Sequence, residues 1–129
     1  MIKFINIINK RMAEQKYTDL NYLKEITGGE DEILKEFINM FFDQIPEFKD
    51  GLHEHLKNKR YKELGELAHK AKSSVMTFGM DDLGHQLKEL QLKTQKLADI
   101  DTYPAYVQEF DTVVAHAEKE LQEVLDSLK

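Results

Sequence analysis

Apolar residues recur along this chain at alternating spacings of three and four, the period of a helix with one buried face, and five segments carry the pattern. TDLNYLKEITGG predicts a short helix, with Thr18 or Asp19 as N-cap and Gly28 and Gly29 ending it. EDEILKEFINMFFDQIPEFKDGLHEHLKNK predicts a long one, with a stripe of Leu34, Phe37, Ile38, Phe41, Ile45, Phe48, Leu52 and Leu56. Glu30, Asp31 and Glu32 suit its positive N-terminal end. Pro46 removes one amide donor inside it and predicts a kink rather than two helices.

RYKELGELAHKAKSSVMTFG is the third segment, with Gly79 as the residue that closes it. MDDLGHQLKELQLKTQKLAD follows, with Asp81 as N-cap and Leu83, Leu87, Leu90, Thr94 and Leu97 on its inner face. In TYPAYVQEFDTVVAHAEKELQEVLDSL, Thr102 is the expected cap and Pro104 lies in the first turn, where a missing N–H costs little. The stripe of this last segment runs from Tyr103, Tyr106, Val107 and Phe110 through Val113, Val114, Ala117, Leu121 and Val124 to Leu128. Short loops between long amphipathic helices predict antiparallel neighbours. The expected fold is all-α, an up-down four-helix bundle with an additional short N-terminal helix. Residues 1–16 form an extension before a bundle domain over 17–129.

Composition narrows the function classes. A chain of 129 residues suggests one domain with room for a core. No apolar run approaches the roughly 20 residues that span a bilayer, so no membrane partner is expected. The opening MIKFINIINKRMAEQK is a poor signal peptide, because Asn6 and Asn9 interrupt its apolar part and no small-residue cleavage site follows. Met12 is an alternative start to Met1. The absence of cysteine excludes disulfides and thiolate metal sites and fits a reducing cytoplasm. A net charge of −6 argues against nucleic-acid binding, which needs a basic surface. No Gly-rich phosphate loop or ATP-binding motif is present, so the chain has no recognisable means of phosphorylating itself from ATP.

One histidine changes the picture. In AHKAKSSVMTFG the core arc holds Ala68, Ala71, Val75 and Phe78, and His69 lies far from its centre. A histidine there points to solvent. Taken singly it is an ordinary surface residue, but its neighbours are unusual. Gly65 and Ser73, one turn either side, are small; Met76 is a large flexible apolar residue off the core face; Lys62, Lys70 and Lys72 supply positive charge within an acidic chain. A bare histidine between small residues with an apolar neighbour is a landing place for another protein. Lysine charge beside an imidazole favours the neutral ring and stabilises an anion placed on it. Both properties suit a histidine that accepts a phosphoryl group as a nucleophile.

The stretch AHKAKSSVMTFGMDDL resembles the signature of histidine-containing phosphotransfer (HPt) domains, in which a histidine is followed by a lysine three positions on, small residues, and a glycine ten positions after the histidine. Here these are His69, Lys72, Ser73 with Ser74, and Gly79, and Ala68 and Leu83 also fit. The resemblance covers roughly Tyr17 to Leu128. Two positions depart from the commonest pattern: Ser73 stands where glycine is frequent, and Ala71 where leucine is frequent. The resemblance implies a phosphorelay intermediate, which takes a phosphoryl group from the aspartyl phosphate of one receiver domain and passes it to the aspartate of another. His69 would be the acceptor, Lys72 would stabilise the phosphate, and Ser73 would donate a hydrogen bond to it. Lys62, Gly65, Met76 and Gly79 would line the surface that meets receiver domains of response regulators and of a hybrid histidine kinase. The resemblance implies no cofactor of its own, since magnesium belongs to the receiver. It also implies a carrier without kinase activity. The absence of other domains favours a free-standing protein over a module of a hybrid kinase, a single exposed histidine favours a monomer, and the lack of cysteine fits the cytoplasm. The alternative from a different class is a helical adaptor, a degenerate form of the same fold that binds partners without chemistry.

Other candidates are weaker. His53 and His55, two apart, point to different sides of a helix and make a poor metal pair. Neither HExxH nor a Glu-x-x-His pair occurs, so no metal is expected. His85 and His116 read as surface or boundary residues, and Glu118, Glu120, Glu123 and Asp126 as a solvated acidic face.

Overall fold

Five α-helices and one 3₁₀ turn account for the regular structure of residues 17–128, the part of the chain that the computed structural model describes. The expected extension over 1–16, and with it the choice between Met1 and Met12, lies outside the described residues. The helices are α1 (Asn21–Thr27), α2 (Asp31–Lys57), α3 (Tyr61–Thr77), α4 (Asp81–Lys96) and α5 (Tyr103–Ser127), with the 3₁₀ turn Ile100–Thr102 before α5. Among the described residues there is no strand, and no helix is long and apolar enough to cross a membrane.

The stripes form one core. Leu34 to Leu52 of α2, Leu64 to Val75 of α3, Leu83 to Leu90 of α4 and Tyr103 to Leu121 of α5 contribute its buried side chains. Phe41 and Phe78 stack with ring centres 4.6 Å apart, and Phe48 meets Phe110 edge-on at 6.4 Å. The stripe ends are less buried: Phe37, Leu56, Tyr106, Val113, Val124 and Leu128 pack on the core from its margin. Leu97 departs outright. It lies beyond the last turn of α4 in left-handed backbone (φ 52°) and is 59% exposed, because the chain leaves the helix one residue before the stripe would have carried it inward.

Pro46 does not interrupt α2, which runs unbroken from Asp31 to Lys57. The ring lies on the exposed side, where water reaches the backbone that its missing donor frees. The caps differ from expectation in their chemistry. Leu20, not Thr18 or Asp19, occupies the N-cap of α1, although Asp19 Oδ1 accepts the Asn21 N–H at 2.9 Å from one residue further out. Met80 takes the N-cap of α4, and Asp81 is its first helical residue, where its charge still complements the dipole. Thr102 holds the N-cap of α5, yet its hydroxyl donates backwards to the Asp99 carbonyl at 2.6 Å. Gly79 closes α3 as expected, at φ 78°, with its N–H on the Met76 carbonyl and the Met80 N–H on the Val75 carbonyl.

Glycines set how closely α3 approaches its neighbours. A Cβ on Gly65 would collide with the Thr94 hydroxyl of α4, one on Gly84 with the Met76 side chain, and one on Gly51 of α2 with Leu67. Gly65 with Thr94 and Met76 with Gly84 run in opposite senses along α3 and α4, so these two helices are antiparallel neighbours in close contact. A short strap then locks the far end. The Tyr17 N–H and both the N–H and hydroxyl of Thr18 donate to the Glu120 carboxylate of α5, at 2.6, 2.9 and 2.8 Å. Tyr17 stacks on His116 at 4.5 Å. The Asp19 N–H donates to the Phe78 carbonyl at 2.9 Å. The strap therefore ties α5 to the end of α3.

Candidate functional site

His69 stands on the exposed side of α3, at its edge toward α4. Its Nδ1 lies 3.1 Å from Oε1 of Gln91, which reaches across from α4. An amide oxygen only accepts, so Nδ1 is the nitrogen that carries the proton and Nε2 keeps its lone pair. Nε2 has no hydrogen-bond partner among the described residues. The arrangement follows from the close approach of the two helices: Gly65, one turn before His69, lets α4 come near enough for a glutamine side chain to span the gap.

Lysines accompany His69 along α3 and α4, with exposed Glu66 three residues before it. Lys62 and Lys70 are exposed on α3, and Lys72 is half-buried. Lys88 is exposed on α4, three residues before Gln91 and thus on the same helical face. Among the described residues none of these lysines forms an ion pair of the kind that ties Lys35 to Glu32 or Lys93 to Glu89 and Asp99. Ser73 is exposed one turn after His69, and its carbonyl accepts the Thr77 hydroxyl at 2.9 Å. An unprotonated, accessible imidazole nitrogen among lysines can attack an electrophile and hold the anion that results.

Two residues expected on the open surface lie elsewhere. Gly65 is buried against Thr94, so it serves helix contact rather than a partner directly. Met76 is half-buried, seated on Gly84 and packed against the core. The wheel of α3 put both away from the core, but α4 covers that side and packs Met76 against the core and Gly65 against Thr94. Gly79 turns the chain with the Asp19 backbone against it. Lys62 remains exposed near His69. Gln91 and Lys88 carried no signal in the sequence, since both come from a different helix; only the register of α3 against α4 brings them in.

Three other histidines are engaged elsewhere, and His85 is exposed on α4. His53 Nε2 lies 2.6 Å from Asp111 Oδ2, joining α2 to α5. His55 accepts the Arg60 Nε–H at 3.2 Å, and His116 stacks on Tyr17. Glu120 is no part of a free acidic face, because it holds the strap. Among the described residues no group of three or more His, Cys, Asp or Glu side chains is placed to hold a metal ion.

The fold and the site together define an all-helical module that presents one oriented imidazole on its surface. A family model, that of the Hpt domain, matches residues 36–129, most of the chain and all of α3 and α4, and the chain belongs to that family. Hpt domains are phosphocarrier modules of two-component signalling that interact with receiver domains, and they are not kinases. No curated protein and no solved structure matches the chain.

Proposed function

We propose that this protein is a phosphorelay intermediate that carries a phosphoryl group on His69 Nε2 between the aspartates of receiver domains. The observation that carries this reading is the His69–Gln91 hydrogen bond, which supports a fixed tautomer with the nucleophilic nitrogen outward. In the forward step the Nε2 lone pair attacks the phosphorus of an aspartyl phosphate. The P–N bond forms as the acyl phosphate P–O bond breaks, and the aspartate leaves as a carboxylate. Nδ1 keeps its proton on Gln91 throughout. Return to a second aspartate reverses these bonds. Such a transfer needs mostly positioning and charge stabilisation. Lys72, with Lys62 and Lys88, supplies charge toward the transferring oxygens, Ser73 donates a hydrogen bond, and the receiver brings its own magnesium.

The same reading takes 17–129 as the carrier domain after an extension over 1–16, with the four long helices as an antiparallel up-down bundle to which α1 is added. It takes the protein as a cytoplasmic monomer that binds receivers of response regulators and of a hybrid kinase. The test is incubation with receiver domains phosphorylated by a small acyl phosphate. The chain should acquire an acid-labile, base-stable label, and His69→Gln should lose it while retaining its helical circular dichroism. A label that persists in that variant would sink the assignment. Binding of receivers without any label would mark an adaptor instead.

A further inference from the structure

A groove of about 960 Å³ lies between α1, the first turns of α2 and the last turns of α5. Its apolar members are Leu20, Leu34, Val124 and Leu128. Leu34 is buried, but the other three are only half-buried, so the groove keeps apolar surface within reach of solvent. The carboxylates of Asp19, Asp31 and Glu123 stand exposed around it, and Lys24 is the one cation of its lining among the described residues. None of these four charges forms an ion pair among the described residues. Glu120 also lines the groove, but its carboxylate is committed to Tyr17 and Thr18. An apolar floor inside an acidic rim suits a chain segment that is apolar and basic.

This chain carries such a segment in the sixteen residues before Tyr17. Met1, Phe4, Ile5, Ile8 and Met12 are apolar at spacings of three and four, and Lys3, Lys10, Arg11 and Lys16 stand against a single acid, Glu14. The segment is thus basic in a chain of net charge −6. It also joins the domain at the groove. Thr18 lines the groove and is held there by Glu120. From Glu120 to Leu128 the groove follows α5 for eight residues, about 12 Å at a rise of about 1.5 Å per residue. Sixteen residues cover about 24 Å even as a helix, so the segment is long enough to fill it. A second groove, of about 480 Å³, borders Tyr17 and is also acidic, with Asp81, Asp82 and Glu109. Its apolar members Met80 and Leu83 are already buried, which leaves little there for an apolar segment to cover.

We infer that the groove between α1 and α5 is a docking site for the chain's own residues 1–16, which seat Phe4, Ile5 and Ile8 on Leu20, Val124 and Leu128 and bring their cations to Asp19, Asp31 and Glu123. The short tether makes this contact intramolecular, so a modest apolar area is enough to hold it. Opposite charge on segment and rim selects this groove over the lysine-bearing face around His69. The docked segment continues the strap, and together they clamp the entry of α1 to the end of α5. None of the groove residues belongs to the His69 site, so the inference stands independently of the phosphotransfer reading.

The chain has no cysteine, so Asn9→Cys places a single nitroxide label on the segment of the full-length protein. Amide signals of Lys24, Val124 and Leu128 should lose most of their intensity relative to the reduced label. Those of Leu64 and Tyr103 should keep theirs, since Tyr103 lies about 32 Å from Val124 along α5. Ile5→Asp with Ile8→Asp in the labelled chain should restore the groove signals, and Glu123→Lys should restore them in part. These changes lie in the extension or on the exposed rim, so the bundle should keep its helical circular dichroism. Equal loss at Val124 and Leu64 overturns the docking, because the segment then visits the whole surface. Selective loss at Leu83 and Val113, or around His69, overturns the choice of groove. Loss in a mixture of nitroxide-labelled and isotope-labelled chains overturns it in favour of a second copy's segment. Groove signals that stay weak in the Ile5→Asp, Ile8→Asp chain overturn the apolar seating. A protein from the source cells whose mass begins at Met12 overturns the inference altogether.

Discussion

His69 on α3 and Gln91 on α4 are joined by a 3.1 Å contact between Nδ1 and Oε1, the one hydrogen bond the imidazole makes within the described residues. It links the reactive helix to its neighbour at the point where orientation matters. The predictions below start from it and move outward.

Replacing Gln91 with alanine should leave the fold intact, since the pair lies at the surface, but should free the ring to rotate and exchange tautomers. A net hydrogen bond of about 0.5–1.5 kcal/mol corresponds to a loss of roughly threefold to tenfold in the transfer rate. Rapid-quench measurement of label transfer checks the rate, and nitrogen NMR of the imidazole should show the protonated Nδ1 signal giving way to a mixture.

Gly65→Ala should destabilise the protein even though alanine is the better helix former by about 1 kcal/mol. The new Cβ would meet the Thr94 hydroxyl, with the Thr94 Cβ close behind at 3.1 Å. Overpacking of this kind costs about 1–3 kcal/mol. Because the nearest obstacle is one side chain rather than backbone, adding Thr94→Ala should recover part of the loss. Urea unfolding of the single and double variants measures both.

Glu120→Ala should release the strap. The carboxylate accepts three hydrogen bonds from Tyr17 and Thr18, and its loss leaves two backbone donors to find water. The expected cost is about 1–3 kcal/mol. Amide exchange at Thr18 and Asp19 should accelerate far more than at Leu64 or Val114. Equal acceleration everywhere would mean that Glu120 supports the bundle as a whole rather than its N-terminal entry.

Tyr103 sets a pH dependence at the alkaline end. Its hydroxyl donates to the Lys93 and Ala98 carbonyls at 3.0 and 2.8 Å. Burial, with the Asp99 charge next, pushes its phenol above the ordinary value of 10.0. The folded state therefore holds this proton more tightly than the unfolded chain. The stabilisation is fully present below about pH 10 and is lost as pH rises through the folded-state value. Tyr103→Phe should lower stability at pH 7 by about 1 kcal/mol and flatten the decline above pH 10. Tyr106, also raised by burial, and Lys93, raised by its contact with Tyr106, keep some slope in place. Denaturant midpoints between pH 7 and 11 follow the change.

The helices were legible because burial imposes a period on the residues that form them. The α2 stripe from Leu34 to Leu52 and the α5 stripe from Tyr103 to Leu121 are buried as their spacing predicts. Errors fell at the ends. Leu97 continued the α4 pattern by spacing, but the helix stops at Lys96, and a pattern carries no mark for the residue at which the backbone leaves it. Capping differed for a related reason at α1 and α4, whereas Thr102 does hold the N-cap of α5. Asp81, Thr18 and Thr102 are good capping residues by type, but tertiary partners or the neighbouring turn claimed the cap positions or the side chains.

Within the site, the sequence by itself determined that His69 faces away from the core, that lysines accompany it, and that Gly79 ends its helix. These are properties of one helix, and local spacing sets them. Which side of α3 is covered is a property of two helices. Gly65 and Met76 look exposed on a wheel and are covered by Thr94 and Gly84 of α4. Gln91, twenty-two positions from His69, becomes its partner only through the register in which α4 packs. That register depends on small residues at particular contacts and on the fit of side chains across the interface, and no periodicity along one strand of sequence records it. Tertiary structure therefore decided the tautomer of the histidine and which side of its helix is covered, and sequence decided that there was a histidine to orient.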